Sequence, residues 1–217
     1  VTDGHEITAI RTRRGVKRRE IEIDGVSWRF VPGPVVNALG LSVGARIDID
    51  ELAAQIAEVE PQAARERALR LLAYRERTEA EMRGRLADDG YSAPTIDTTL
   101  ERLLDTGLLD DRRYAEQTAR VLVEGRGYGR SRALRSLRRS GLDEELVTEF
   151  VDTYAPAEAE RDRALVAARR AARPGDTVDR LGARLVRRGF AVADALSAAR
   201  VVIAPNVTSE DHRENVP

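Results

Sequence analysis

Arginine supplies most of the chemistry within reach of this sequence. From Gly125 to Arg139 stand six arginines, Arg126, Arg130, Arg132, Arg135, Arg138 and Arg139, and no acid. A planar guanidinium donates in pairs to carboxylate and phosphate oxygens, so such a run suits an acidic or phosphate-bearing partner. Arg132, Arg135 and Arg139 follow i, i+3, i+7 spacing and fall on one side of a helix, with Ala133, Leu134 and Leu137 on the other. That stripe is expected to face outward, and Gly127 and Gly129 before it are expected to form a flexible approach loop. Arg184, Arg187 and Arg188 repeat the idea more weakly, and Arg83 and Arg85 hold the matching place earlier, near Asp88 and Asp89. The plainer alternative is a solvated helix face, because Lys17 is the only lysine and arginine is the default cation of the chain.

Other chemistry is scarce. The 217 residues contain no cysteine, which excludes structural disulfides, Cys-ligated metals and thiol catalysis, and a reducing cytoplasmic setting is expected. The two histidines, His5 and His212, lie near opposite ends, so a triad or a two-histidine metal site is not expected. There is no phosphate-binding Gly-Lys loop, nucleotide fingerprint or nucleophile motif. Asp110-Asp111 reads as the cap of a following helix rather than a paired-carboxylate site. Tyr114 falls at a core position, while Tyr128 reads equally as local packing or as a stacking ring for a base. With 36 basic and 37 acidic side chains the net charge is −1, which argues against a general phosphate binder. The longest uncharged run, Phe30 to Ala45, holds two prolines and three glycines and is shorter than the roughly 20 apolar residues of a membrane span. The first residues lack the pattern of a signal peptide.

The elements that must carry these residues change character near residue 60. Before it, Ile21 and Ile23 alternate with Glu20 and Glu22, then Asp24-Gly25 intervenes, then Val26, Trp28 and Phe30 alternate with Ser27 and Arg29. This predicts a β-hairpin with a positive-φ turn, with Trp28 on the same apolar face as the isoleucines as a core anchor. Ile7 to Arg11 and Ile47 with Ile49 read as short extended pieces, Val35 to Leu39 as one helical turn, and Asp50 as the N-cap of a helix through Leu52, Ile56 and Val59. The basic run Arg11, Arg13, Arg14, Lys17, Arg18 and Arg19 is either a solvated edge or a contact for an acidic partner.

Beyond residue 60 the chain repeats. Gly90, Gly141 and Gly189 are spaced by 51 and 48 residues, each preceded at four residues by Leu86, Leu137 or Leu185 and followed by Tyr91, Leu142 or Phe190. Thr78, Gly129 and Thr177 stand eight residues before those leucines as helix starts, and Thr78 with Glu81 fits a capping box. Each copy thus predicts a short helix ended by a left-handed glycine cap. A second helix follows, with faces Ile96, Leu100, Leu103 and Leu104; Val147, Val151 and Tyr154; and Ala195, Ala199 and Val202. An apolar helix precedes each cap: Ala68, Leu69, Leu72 and Ala73; Tyr114, Ala115, Ala119 and Leu122; Ala164, Leu165 and Ala168. The expected fold is mainly α, with three tandem three-helix repeats in an elongated row behind a small segment containing a β-hairpin. The expected limits are 1–60 for that segment, 61–109, 110–155 and 156–204 for the repeats, and 205–217 for a polar tail.

These motifs resemble the bacterial RecX regulatory proteins over most of the chain. Arg75-Glu76-Arg77-Thr78 with Glu81 and Gly90-Tyr91 is similar to the opening repeat of that family, and Gly107-Leu108-Leu109-Asp110-Asp111 with Tyr114-Ala115 resembles its most recognisable motif. Gly127 and Gly129 before the arginine-rich helix and Arg187-Arg188-Gly189-Phe190 fit the later repeats, and Ile7-Thr8-Ala9-Ile10 with the hairpin resembles an extra segment of some members. Met82 stands where leucine is usual, and Val207 to Pro217 has no counterpart. The resemblance implies a monomeric modulator, mainly an inhibitor, of the RecA recombinase. It would lie in the groove of the RecA filament on single-stranded DNA, with at most weak direct DNA binding, and restrain strand exchange, ATP hydrolysis and cleavage of the SOS repressor. It would use no cofactor or metal and have no catalytic residue. The residues expected to meet the filament are Arg126, Arg130, Arg132, Arg135, Arg138, Arg139, Arg184, Arg187 and Arg188. The alternatives are an independent DNA-binding helical regulator and a generic protein scaffold. Against the first, the helices after each glycine turn carry Asp97, Glu101 and Asp105, or Asp143, Glu144, Glu145 and Glu149, which repel phosphates.

Overall fold

The fold is described from a computed structural model over residues 4–12 and 17–204. The described residues form two compact units, one of residues 4–12, 17–114 and 140–142, the other of residues 115–139 and 143–204. Arg13, Arg14, His212 and the polar tail lie outside the described residues.

The first unit opens with an antiparallel sheet of β1 (His5–Thr12), β2 (Arg18–Ile23), β3 (Val26–Pro32) and β4 (Arg46–Ile47) in the order β3-β2-β1-β4. Asp24 and Gly25 adopt φ of 51° and 82° at the hairpin tip, as an Asp-Gly turn requires. The expected single apolar face is corrected by a bulge. The register shifts between Ile21 and Glu22, so Ile21 faces Arg29 across the ladder and Glu20 faces Phe30. Ile21, Ile23 and Val31 are buried, Val26 and Phe30 are exposed, and Trp28 is half-buried against the core with the Arg29 guanidinium over its ring.

After α1 (Gly33–Ala38) comes α2 (Ile49–Tyr74), one continuous helix that crosses the expected boundary at residue 60. Its N-cap is Asp48 rather than Asp50: the Asp48 carboxylate accepts from the Asp50 and Glu51 N–H groups at 2.9 and 3.0 Å. The buried side of its second half is Ala64, Ala68 and Leu71, so the expected Leu69 and Ala73 point outward and Leu72 is only partly covered. α3 (Glu79–Asp88) and α4 (Ala93–Asp105) complete the first three-helix repeat. Met82, Leu86, Ile96, Leu100 and Leu103 join the core of the sheet and α2, while Leu104 is exposed.

α5 (Asp111–Arg120), a π-helical turn (Val121–Gly125), α6 (Arg130–Arg139) and α7 (Glu144–Tyr154) make the second repeat. α8 (Glu160–Ala171), α9 (Val178–Arg187) and α10 (Val192–Ile203) make the third, around Ala164, Ala168, Leu181, Leu185, Phe190, Ala195 and Ala199. Gly90, Gly141 and Gly189 take φ of 94°, 74° and 97°, and Leu86, Leu137 and Leu185 are fully buried, so the repeat read from glycine spacing is a repeat of capped helices. The N–H groups of Tyr91 and Phe190 return to the carbonyls of Leu86 and Leu185, the six-to-one bond of such a cap.

Candidate arginine-rich interface

The start of α6 has no capping side chain, because its N-cap position is Gly129. Its first N–H, that of Arg130, is taken instead by the Glu160 carboxylate at 2.9 Å. Glu160 is buried and also receives Arg163 at 2.7 Å; burial pushes its carboxyl above the usual range, opposed by the Arg130 N–H and by Arg163. The Gly129 N–H donates to the Arg188 carbonyl at 2.9 Å, and that of Ser131 to the Gly189 carbonyl at 3.2 Å. A side-chain carbon on Gly129 would lie 2.4 Å from the Gly189 carbonyl group. The expected flexible loop is therefore corrected in part: Gly129 is a point of close backbone approach, whereas Gly127, at φ 62° with open space around it, serves the turn.

This junction decides which arginines remain available. Arg132, expected at the start of the outward stripe, is half-buried: its guanidinium lies 3.9 Å from the centroid of the Tyr128 ring and donates to the Arg187 carbonyl at 3.0 Å. Arg130 donates to the Ala155 carbonyl at 2.9 Å and pairs with Asp152. Arg138 makes a two-point contact with Glu144, which raises the arginine and holds the exposed carboxyl below the usual carboxylate range. Arg184 closes on Asp176 at 2.8 and 3.0 Å and on the Ala171 carbonyl. Arg130, Arg132 and Arg184 are engaged within the fold, and Arg138 stands in an exposed surface pair with Glu144. Periodicity places a residue on a face and says nothing about an acid arriving from the next loop.

Arg126, Arg135, Arg139, Arg187 and Arg188 form no ion pair among the described residues. Arg135 and Arg139 stand one turn apart on the exposed side of α6. Arg126 and Arg188 line one cleft of about 530 Å³ inside the second unit, floored by Val123, Ala167 and Phe190. Arg170 of α8 lines the same cleft and was missed, because Arg169-Arg170 in a last helical turn reads as a complement to the helix dipole. Glu124 and Asp162 also reach this cleft, so its surface is mixed in sign.

The remaining candidates resolve into structure. Asp110 caps α5 by accepting from the Arg113 N–H at 2.8 Å, as expected, but Asp111 caps a different helix, accepting from the Glu79 N–H of α3 at 2.8 Å. Burial raises the Asp111 carboxyl and that N–H opposes the rise. Tyr114 is half-buried rather than core, its hydroxyl 3.2 Å from that of Ser140. Tyr128 lies under Arg132, which is local packing. His5 is bonded to Asp24 at 2.6 Å. Among the described residues, no helix is long and apolar enough to cross a membrane.

With this geometry in hand, the relatives are informative. The family model for the RecX first three-helix domain matches residues 64–103, and that for the RecX second three-helix domain matches residues 110–150. A regulatory protein RecX of Mycobacterium sp. strain KMS is 38% identical over 146 residues, which cover 63% of this chain and 79% of that protein. The chain belongs to the RecX family. A RecX of Halorhodospira halophila is 40% identical over 145 residues, 64% of this chain and 86% of the relative. Among solved structures, a regulatory protein RecX aligns over 88% of this chain and 96% of its own with a TM-score of 0.52 at 23% identity. RecX from Lactobacillus salivarius aligns over 66% and 96% with a TM-score of 0.55 at 17% identity. Both share the RecX fold.

Proposed function

We propose that this protein regulates the RecA recombinase, mainly as an inhibitor, by binding RecA filaments on single-stranded DNA. It would sit in the filament groove and restrain strand exchange, ATP hydrolysis and coprotease activity during DNA repair and the SOS response. In this reading it works in the cytoplasm as a monomeric binding protein without catalytic residues or cofactor. Membership in a family of regulatory proteins supports the role. The observation that carries the choice of surface is the sorting of the arginines: four of the nine candidates are engaged within the chain, and Arg126, Arg135, Arg139, Arg187 and Arg188 keep guanidinium donors for a partner. A nucleoprotein filament offers carboxylates and phosphates side by side, and guanidinium recognises both in the same two-point geometry. Held against neighbouring protomers, such a contact opposes the relative movement that strand exchange and turnover need.

The test is RecA ATPase on single-stranded DNA with and without the protein. Arg126, Arg135 and Arg139 changed together to glutamate should weaken inhibition by roughly a hundredfold, from about 1 kcal/mol per reversed contact, with melting temperature and circular dichroism retained. Arg132→Glu should instead lower the melting temperature, because it opens the junction of α6 with the end of α9. Undiminished inhibition by the folded triple variant would sink this surface, and no effect of the wild-type protein on RecA would sink the function.

A further inference from the structure

A second cluster of cations lies in the first unit. Arg77 follows α2 and is 8% exposed, yet it forms no ion pair among the described residues. Among the described residues its hydrogen bond is a long contact of 3.5 Å from Nε to the Leu71 carbonyl, and its terminal nitrogens are not buried without a partner but reach solvent. A guanidinium whose stem is buried and whose terminal nitrogens stay accessible is held ready for an anion. Arg77 lines a pocket of about 420 Å³ together with Lys17, Arg18 and Arg85. Arg67 and Asp89 also reach this pocket but neutralise one another, both side chains being largely buried. That leaves four cations against one further carboxylate, Asp88. Burial and the neighbouring Arg75, Arg85 and Arg67 hold Arg77 below the usual guanidinium value, with Glu81 opposing, as expected where positive potential accumulates.

The walls are built to hold these cations in place. The Gly33 N–H donates to the Lys17 carbonyl at 3.1 Å, and a side-chain carbon on Gly33 would lie 2.9 Å from that oxygen. The Arg18 stem rests on Gly90, where an added carbon would lie 2.7 Å from Arg18 Cβ, and its guanidinium sits 4.9 Å over the Phe30 ring. Two glycines therefore allow the start of β2 to pack against the start of α1 and the α3 cap, beside the pocket that Lys17, Arg18, Arg77 and Arg85 line.

We propose that this pocket binds a phosphate group, with Arg77 as the fork and Lys17, Arg18 and Arg85 as the surrounding charges. An excess of about three positive charges suits a multiply charged tetrahedral oxyanion better than a single carboxylate, and a fork beside a lysine point charge supplies donors from several directions. The phosphate comes either from a free phosphate compound or from a nucleic-acid backbone.

The full-length protein is titrated with inorganic pyrophosphate at constant ionic strength and followed by melting temperature and arginine Nε resonances. The wild type should show saturable stabilisation and a shift of the Arg77 signal, and Lys17→Gln and Arg85→Gln should each bind roughly tenfold more weakly, as loss of one charge-assisted contact implies. Arg77→Met should lose the pyrophosphate response, since it removes the fork that meets the phosphate. If Arg77→Met does not fold, the two rim variants decide. A short single-stranded oligonucleotide that competes with pyrophosphate identifies a backbone phosphate; pyrophosphate binding without competition identifies a free phosphate compound. No saturable binding of either probe, or unchanged binding in both rim variants, overturns the proposal. The Arg126, Arg135 and Arg139 triple variant should keep its pyrophosphate response, which separates this site from the recombinase contact.

Discussion

Arg184 shows how a side chain can look like a ligand for a partner and serve the fold instead. Its partner Asp176 lies in the loop before α9, 8% exposed, and accepts two bonds from Arg184 and one from the Arg173 N–H at 2.8 Å. These donors hold the Asp176 carboxyl below its ordinary 3.8, the Arg184 side chain being the larger influence and the Arg173 N–H the next. Because the folded value is depressed, the contribution to stability is complete above the ordinary carboxylate range and disappears as pH falls through the folded value. Carboxyl-carbon NMR should find Asp176 titrating at lower pH than an ordinary aspartate, and Arg184→Gln should move it back part of the way. The stability gap between the wild type and that variant in denaturant titrations should close as the solution is acidified. A gap independent of pH would show that Arg184 acts through packing alone. Nothing in the spacing of Arg184, Arg187 and Arg188 points to Asp176, since a helical pattern specifies a face and the acid comes from an irregular loop.

At the level of elements, the repeat has a feature beyond helix caps: the start of a capped helix is completed by the repeat that follows it. In the first unit, the Glu79 N–H at the start of α3 is taken by Asp111, and Thr78 donates to the Ser140 carbonyl beside Gly141. In the second unit, the Arg130 N–H at the start of α6 is taken by Glu160, and the Gly129 N–H by the Arg188 carbonyl beside Gly189. Gly141 and Gly189 thus serve twice, as left-handed caps and as close approaches, since an added carbon would lie 2.5 Å from Ala80 Cβ and 2.4 Å from Arg132 Cβ. This separates two glycines that look alike in sequence. Gly129→Ala should cost about 3 kcal/mol, because backbone must move, whereas Gly127→Ala should cost about 1 kcal/mol for its positive φ. Urea denaturation of both variants checks this, and equal losses would contradict the junction. The cap glycines, their leucines and the following apolar residues were legible because each obeys a local rule. The face of α2 was read one residue off at Leu72, and its length was not legible, because composition changes near residue 60 while the helix continues.

For the molecule as a whole, a net charge of −1 is the sum of segregated signs. The helices after the first two glycine turns are acid-rich, and part of that acid is paired with arginine at the surface, as in Arg83 with Asp97 and Arg138 with Glu144. Such pairs lower the number of cations that can meet a phosphate chain. They leave carboxylates beside the arginines that remain, so a long uniform polyanion finds both attraction and repulsion. Affinity for bare duplex DNA rests on counterion release and scales with the number of phosphates neutralised. With five of the nine candidate arginines unpaired among the described residues, and acids interleaved with them, the protein alone should bind duplex DNA only non-specifically, with a dissociation constant of about 10⁻⁶ M or weaker at physiological salt. The dependence on salt should be correspondingly shallow, set by a small number of phosphate contacts. Fluorescence anisotropy with a labelled duplex across a salt series measures both quantities. Tight, sequence-dependent binding that survives physiological salt would favour an independent DNA-binding regulator over a filament-bound one. Weak duplex binding together with strong RecA inhibition fits a surface whose mixed charges need protein and phosphate presented together.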